Sequence, residues 1–264
     1  MFITHDIHIH TKLSSCSTDI HATLENYLLM GKELGLKTIG ISDHLWDEEV
    51  EGASDWYRPQ GLKRILETRE KIINANSEIK VLLGAEAEYA NGILSVTKEN
   101  AEKLDYVLIP HSHTHMKGFV LPERVTTLEG IAGYMVDSFK EIIKKDIATS
   151  IAHPFQPGGY NNIRDLQQIY SYIDDGAFIE CFTEAQRHNT GIEINISSFF
   201  TDSPLDNIFK NTYLRMYKLA KQCGCKFSFG SDSHSLARLP RIKLGEVISD
   251  YLNLTNEDLI ELVR

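Results

Sequence analysis

Short apolar runs that end in histidine or an acidic residue alternate along this chain with longer segments of helical spacing. Runs rich in Ile, Val and Phe predict strands at 6–10, 38–44, 80–89, 106–113, 148–154, 191–197 and 226–234. Segments with apolar residues three and four positions apart predict helices at 23–35, 61–76, 127–145, 163–175 and 206–224. This order is typical of an α/β fold with a parallel sheet.

A parallel sheet of this kind either closes into a barrel or stays open with helices on both faces. A barrel brings the carboxyl ends of all its strands to one mouth, whereas an open, doubly wound sheet brings together only the strands near its switch point. Almost every predicted strand here ends in a side chain that can bind a metal ion, which favours the barrel. We therefore expect seven βα units in a barrel that forms a single domain over residues 1–264.

The charge and the cysteines limit the function classes. Lys and Arg number 27 against 37 Asp and Glu, a formal charge of −10, which argues against a broad surface for long nucleic acid. The chain starts without the basic and apolar segments of a signal peptide and has no run long enough to cross a bilayer, so we expect a cytoplasmic protein without a membrane partner. Its 4 cysteines are unevenly spaced and predict reduced thiols.

Histidines and acids at the strand ends are the candidate functional residues. Imidazole and carboxylate groups suit zinc, iron and manganese. Residues two positions apart on one strand face the same side of the sheet, so such a pair can bind one ion together. Burying so many polar groups without partners would be costly, whereas a shared metal centre satisfies them together. The candidates, in chain order, are His8, His10, His44, Glu86, His113, His153, Asp232 and His234.

Two choices between neighbouring residues stay open. The segment "PHSHTHM" offers His111, His113 and His115, which share one parity, so strand geometry alone does not choose among them. We assign the ligand to His113. The segment "AEAEY" offers Glu86 and Glu88 on one face, and we assign the ligand to Glu86 with Glu88 as its support.

The motifs "HIHT", "SDH", "GAE", "HSHTH", "AHP" and "GSDSH", taken in this order, resemble the signature of the polymerase and histidinol phosphatase (PHP) superfamily. They cover the chain from residue 6 to residue 234. The resemblance implies a distorted, TIM-like (β/α)7 barrel. It also implies two or three bound divalent metal ions, commonly zinc, iron or manganese.

The resemblance further implies how the ligands are shared. A first metal would be held by His8, His10, Glu86 and Asp232, a second by the bridging Glu86 with His113 and His153, and a third by Asp19, His44 and His234. Asp19 has an alternative role as the N-terminal cap of the helix that follows it.

One segment departs from the family pattern. "GIEINIS" (191–197) resembles the family's "EIN" strand, after which phosphatases of this type often carry a basic residue, whereas "SSFF" follows here. This departure weakens the case for histidinol phosphate itself. Glu193 and Asn195 either orient the site or serve only as strand-end residues. Arg187 and Arg238 are candidate phosphate-binding residues, because a guanidinium group forms a planar fork to phosphate oxygens.

These features predict a metal-dependent phosphoesterase that hydrolyses a small phosphomonoester, with histidinol phosphate as the prototype. A metal-bridging hydroxide would attack phosphorus in line with the leaving alkoxide, so no side-chain nucleophile is required. The alternatives are a nucleotide phosphodiesterase or nuclease of the same superfamily, a barrel hydrolase of the amidohydrolase type, and a non-catalytic module stabilised by metal. The acidic charge disfavours long nucleic acid as a substrate.

Overall fold

A computed structural model describes residues 1–75, 77–160, 162–197 and 212–264. Strands and helices alternate over most of this length. In chain order they are β1 (His5–Ile9), α1 (Leu24–Glu33), β2 (Thr38–Ile41), β3 (His44–Leu45), α2 (Leu62–Leu66), α3 (Thr68–Asn74), β4 (Lys80–Ala87), β5 (Tyr89–Ala90), β6 (Ile93–Leu94), α4 (Lys98–Ala101), β7 (Tyr106–Pro110), α5 (Leu128–Ile143), β8 (Ser150–Ala152), α6 (Ile163–Ser171), α7 (Asp175–Arg187), β9 (Gly191–Asn195), α8 (Leu214–Gln222), β10 (Phe227–Gly230) and α9 (Gly245–Leu252).

The strands form a parallel sheet in the order β1, β2, β4, β7, β8, β9, β10, and β3 also pairs in parallel with β4. The first and last strands meet just beyond their ends. There the amide of Asp232 donates to the carbonyl of His8 at 2.8 Å, and the amide of His10 donates to the carbonyl of Ser233 at 2.9 Å. These bonds bring the sheet close to a closed barrel, which confirms the predicted fold class.

The strands are buried on both faces because one face lines the barrel and the other carries the helices. All positions of β1, β2, β7 and β9 are buried. Helices α1 and α5 begin at threonine caps: Thr23 accepts from the amide of Asn26 before α1, and Thr127 accepts from the amide of Gly130 before α5. Each connection thus returns the chain to the start of the next strand.

Tyr106, the first residue of β7, occupies the barrel interior. Its hydroxyl donates to the carbonyl of Ile7 at 2.8 Å. A Cβ atom at Gly40 would lie 2.4 Å from the Tyr106 hydroxyl, and one at Gly84 would lie 2.3 Å from its ring. The two glycines therefore make room for the ring, since any larger residue would occupy the same space.

Several predicted boundaries differ from the structure. The predicted strand 38–44 breaks after Ile41 into β2 and β3, and the predicted helix 61–76 consists of α2 and α3. The predicted helix 206–224 is observed from Leu214, and its first part lies outside the described residues. Helices α7 and α9 were not predicted. Among the described residues, no helix has the length and apolar character that a membrane span requires.

Candidate metal centre

The candidate ligands meet at the carboxyl end of the barrel because each of them lies at or just beyond the end of a parallel strand. They surround a cavity of about 240 Å³. The side chains lining it are Cys16, His44, Trp56, Tyr57, Glu86, His113, His115, Met116, His153, Asp232 and His234. No lysine or arginine appears in this lining, as far as the chain is described.

Glu86, on β4, lies at the centre of the cluster. Its Oε2 atom is 3.0 Å from His44 Nδ1, 3.5 Å from His10 Nε2 and 3.6 Å from His8 Nε2. Its Oε1 atom is 2.9 Å from His153 Nε2. His113 Nε2 lies 3.8 Å from the same Oε1 atom. One carboxylate thus faces imidazoles that come from the ends of β1, β3, β7 and β8.

Asp232, beyond β10, completes the cluster on the side where the barrel closes. Its Oδ1 atom is 3.3 Å from His10 Nε2, 3.6 Å from His8 Nε2 and 3.4 Å from His234 Nδ1. The backbone of Asp232 is in the left-handed region, with φ 52°, and that of His153 has φ 28°. Non-glycine residues adopt this region at a cost on the order of 1 kcal/mol and do so most often at functional sites.

Among the described residues, three groups of donor atoms are close enough to share an ion. The first group is His8, Glu86 and His153, the second is His8, His10 and Asp232, and the third is His10, His44 and His234. Within each group the donor atoms lie within 4.8 Å of one another. In addition, His44 Nδ1 is buried and has no hydrogen-bond partner in the part of the chain that the structure describes, because its contact with Glu86 lacks hydrogen-bond geometry. Imidazole nitrogen and carboxylate oxygen suit zinc, iron and manganese. The residues present therefore fit divalent metal ions.

Glu193, on β9, supports two of the candidate ligands from behind. Its Oε1 atom lies 2.6 Å from His8 Nδ1, and its Oε2 atom accepts from the amide of His153 at 2.6 Å. The Asn195 side chain donates to the same Oε2 atom at 3.0 Å. Such partners fix the orientation of a metal-binding imidazole and raise its basicity.

Glu88 contacts His113 in the same way. Its Oε2 atom lies 2.6 Å from His113 Nδ1 and accepts from the Tyr57 hydroxyl at 2.7 Å. Ser112 Oγ lies 2.8 Å from His153 Nδ1, and Ser14 Oγ lies 3.0 Å from His10 Nδ1. For these imidazoles, the ring nitrogen away from the cluster is already bonded, which leaves Nε2 to face the centre.

The electrostatics keep the acids in their metal-binding form. Although burial alone would raise it, the charges of His44 and His8 hold the pKa of Glu86 well below its usual value. Burial would also raise the pKa of Asp232, but the charge of His8 and a hydrogen bond with His10 hold it well below its usual value. Burial would lower the pKa of His44, but the charge of Glu86 raises it well above its usual value. Without an ion, His8 and His44 therefore hold protons in preference to the carboxylates, and metal binding displaces them.

Comparison with known proteins places this site in a family. The PHP domain model matches residues 6–197. The chain belongs to the PHP domain family. Relatives of this PHP chain include a "probable phosphatase" of Shewanella loihica, 26% identical over 231 residues that cover 87% of this chain and 77% of the relative. A "probable phosphatase" of Caldicellulosiruptor saccharolyticus is 25% identical over 276 residues that cover 100% of this chain and 97% of the relative.

The PHP chain also shares its fold with a solved structure. This is the crystal structure of histidinol phosphate phosphatase from Lactococcus lactis, complexed with Zn, L-histidinol and phosphate. The TM-score is 0.65 at 15% sequence identity, and the match covers 98% of each chain. The predicted resemblance to the PHP superfamily is therefore confirmed.

The three histidines of "HSHTH" have different surroundings in this PHP domain. His111 is fully buried, its Nδ1 atom lies 2.9 Å from the Met135 carbonyl, and its Nε2 atom accepts from the Phe155 amide at 2.8 Å. Burial lowers the pKa of His111 to about 3. His115 is exposed at the cavity rim, and His113 faces Glu86. His113 is thus the histidine of this segment that faces Glu86, whereas His111 is bonded at both ring nitrogens.

Asp19 does not join the donor groups found among the described residues. Its Oδ1 atom accepts from the amide of His21 at 2.8 Å, and its Oδ2 atom accepts from the amide of Leu236 at 2.9 Å. These backbone hydrogen bonds lower its pKa. Asp19 is not the cap of α1 either, because Thr23 holds that position. Its carboxylate instead joins the loop after β1 to the segment after β10.

Cys16, to which the sequence analysis gave no metal-binding role, lies at the cavity rim in the loop between β1 and α1. The imidazoles of His234 and His44 lie beside its thiol in the same cavity. Although burial opposes it, these contacts lower the pKa of Cys16 to about 7. The only sequence signal was its position six residues after His10, in a loop that leaves the mouth of the barrel.

The predicted arginines do not line the cavity. Arg187 ends α7, just before β9, and pairs at 2.7 Å with Glu184 on the same helix. A residue that precedes a strand lies at the opposite end of the barrel from the mouth, which explains its distance from the cluster. Arg238 is exposed in the 3-10 segment Leu236–Leu244. Neither position supports the predicted phosphate contact.

Proposed function

We propose that this chain is a metal-dependent phosphatase that hydrolyses a small phosphomonoester. The observation that carries the proposal is Glu86, a buried carboxylate surrounded by imidazoles from four strands at the mouth of the barrel. Membership of the PHP family and the names of the relatives support a phosphatase-type hydrolase, as the sequence predicts.

The proposed ligand sets follow the family pattern and overlap in part with the three donor groups. His8, His10, Glu86 and Asp232 would hold one ion, Glu86 with His113 and His153 a second, and His44 with His234 a third. When bound, divalent ions lower the pKa of water and neutralise charge on phosphoryl oxygens. Zinc, iron and manganese all suit this set, so we propose two or three ions of these elements.

The side chains of this chain orient the metal-binding imidazoles and shape the space for the substrate. Glu193 and Glu88 hold the rings of His8 and His113, so the donor nitrogens stay aimed at the centre. The cavity of about 240 Å³ has room for a phosphoryl group and a small leaving group. Trp56, 37% exposed, packs edge-on against His44 with ring centroids 5.1 Å apart and offers an apolar wall to the leaving group.

The test is phosphate release by protein loaded with zinc, manganese or iron. The substrate panel contains phosphomonoesters, histidinol phosphate among them, together with a phosphodiester. We expect release from at least one monoester, and we expect Glu86→Gln to lower kcat/KM by at least about 100-fold, since even supporting residues of metal sites cost 10-fold to 100-fold. Arg187→Gln, far from the cavity, serves as the control and keeps the parent rate.

Two results would contradict the proposal. One is metal-loaded protein that releases no phosphate from any monoester. The other is a Glu86→Gln variant with undiminished turnover and metal content. Faster hydrolysis of the diester than of every monoester would instead favour the phosphodiesterase alternative.

A further inference from the structure

The third donor group lacks an anionic ligand if Asp19 is left out. It consists of the imidazoles of His10, His44 and His234, whose donor atoms lie within 4.8 Å of one another. The rings of His10 and His234 are stacked with centroids 4.1 Å apart. The carboxylate of Asp19 already accepts hydrogen bonds from the backbone amides of His21 and Leu236, so it is directed away from this group. The nearest acids are Glu86, 3.0 Å from His44, and Asp232, 3.4 Å from His234, and both are assigned to the other two ions, so this group has no acid of its own.

Cys16 is the candidate for the missing anionic ligand. It lines the same cavity as His44 and His234, although, like Asp19, it lies outside the groups whose donor atoms are all within 4.8 Å of one another. An independent sign of a ligand comes from His44, which is only 7% exposed: its Nδ1 atom lies 3.0 Å from Glu86 Oε2 yet has no hydrogen-bond partner among the described residues. A buried polar atom without a partner is rare in folded proteins and indicates an ion or water at that position.

We propose that the sulfur of Cys16, rather than the carboxylate of Asp19, completes the third metal site with His44 and His234. This inference rests on the metal centre of the proposed function. On binding, the Cys16 sulfur–hydrogen bond is lost, the proton passes to solvent and the thiolate binds the ion. A sulfur ligand makes this position prefer zinc or cobalt over manganese, since thiolate is a softer ligand than carboxylate.

The decisive experiment uses cobalt as a spectroscopic stand-in for zinc in the full-length protein. We expect cobalt-loaded protein to show a sulfur-to-cobalt charge-transfer band in the near ultraviolet, in both the parent and Asp19→Asn. Cys16→Ser removes the band and lowers bound zinc by about one ion per chain in elemental analysis. Cys223→Ser, which alters a cysteine at the end of α8, is the matched control and keeps both.

A second measurement needs no substitution at the site. Alkylation of the protein with iodoacetamide, mapped by mass spectrometry, reports the accessibility of each thiol. Zinc should slow modification of Cys16 at least 10-fold and leave the rate at Cys223 unchanged. Cys16→Asp addresses folding, because it keeps an anionic ligand: it should retain the third ion but not the charge-transfer band.

The inference fails if the band persists in Cys16→Ser, if zinc does not protect Cys16, or if Asp19→Asn alone loses the third ion. A parent protein that binds no metal would overturn it together with the proposed function. Protein that shows the band and the protection yet releases no phosphate would keep this metal site and refute the phosphatase activity, so the two failures are distinguishable.

Discussion

Glu193 contacts two candidate ligands without lining the cavity. It bonds the His8 ring at 2.6 Å and the His153 backbone at 2.6 Å, and it is fully buried. We expect Glu193→Gln to weaken metal binding or kcat/KM by about 10-fold to 100-fold, because the amide is a poorer partner for a metal-bound imidazole. Metal titration followed by kinetics at saturating metal would check this. Equal metal affinity and equal rates in variant and parent would show that Glu193 has only a strand-end role.

Single residues were predictable where the residue type alone restricts the chemistry. His8 and His10, two positions apart on an apolar strand, predict a shared ligand face, and the structure places both beside Glu86. Cys16 and Asp19 were harder because both lie in an irregular loop, where no periodicity tells which side chain turns inward. Only the hydrogen bonds of Asp19 to distant backbone amides show that it points elsewhere.

At the level of elements, the contact between β4 and β7 depends on a glycine. A Cβ atom at Gly84 would lie 2.3 Å from the Tyr106 ring, which is 2% exposed and cannot move aside. We expect Gly84→Ala to lower the free energy of unfolding by about 1 to 3 kcal/mol, as overpacking of a buried core usually does. Urea unfolding of parent and variant measures the difference.

Gly133 provides the matched control for that substitution. It lies on the exposed side of α5, and a Cβ atom there would meet nothing within 4 Å. Gly133→Ala should raise the free energy of unfolding by about 0.5 to 1 kcal/mol, because alanine loses less conformational freedom in a helix. If the two alanine variants were equally stable, steric conflict with Tyr106 would not be the reason for glycine at position 84.

The elements differ in how visible they are in the sequence. Strands such as β7 and β9 are continuous apolar runs and were predicted close to their observed positions. Helix α7 was not predicted, although Asp174 caps it and Phe178, Cys181, Phe182 and Ala185 form its buried stripe. Its signal was present, but the many polar residues between these positions obscure the period.

For the molecule as a whole, the order of strands explains why a site made of distant residues was predictable at all. Parallel strands joined by helices bring every carboxyl end to one side, whatever the sequence separation. His8 and Asp232 are far apart in the chain, yet their side chains approach within 3.6 Å because β10 closes on β1. The cavity lining, by contrast, depends on loops such as the one carrying Trp56, whose path follows no repeating pattern.

The stability of the whole molecule should depend on pH through His111, which joins β7, α5 and the segment at Phe155. Its folded pKa is about 3, lowered by burial, whereas an unfolded histidine titrates near 6.5. Between these values the unfolded chain binds the extra proton, so the stability is fully present above pH 6.5 and is lost as the pH falls. At pH 5 the loss amounts to about 2 kcal/mol.

His111→Gln isolates this contribution, since glutamine keeps a donor and an acceptor but does not titrate. We expect the variant to be less stable than the parent at pH 7.5 and the gap to narrow by about 2 kcal/mol at pH 5.0. Urea unfolding of both proteins in the presence of a chelator measures the gap at each pH. The chelator removes metal from both proteins. The titrating cluster around Glu86 is present in the parent and in the variant, so its contribution cancels in the difference between their unfolding free energies. A gap that stays constant between the two pH values would mean that His111 gains no extra proton on unfolding, contrary to a neutral, buried imidazole.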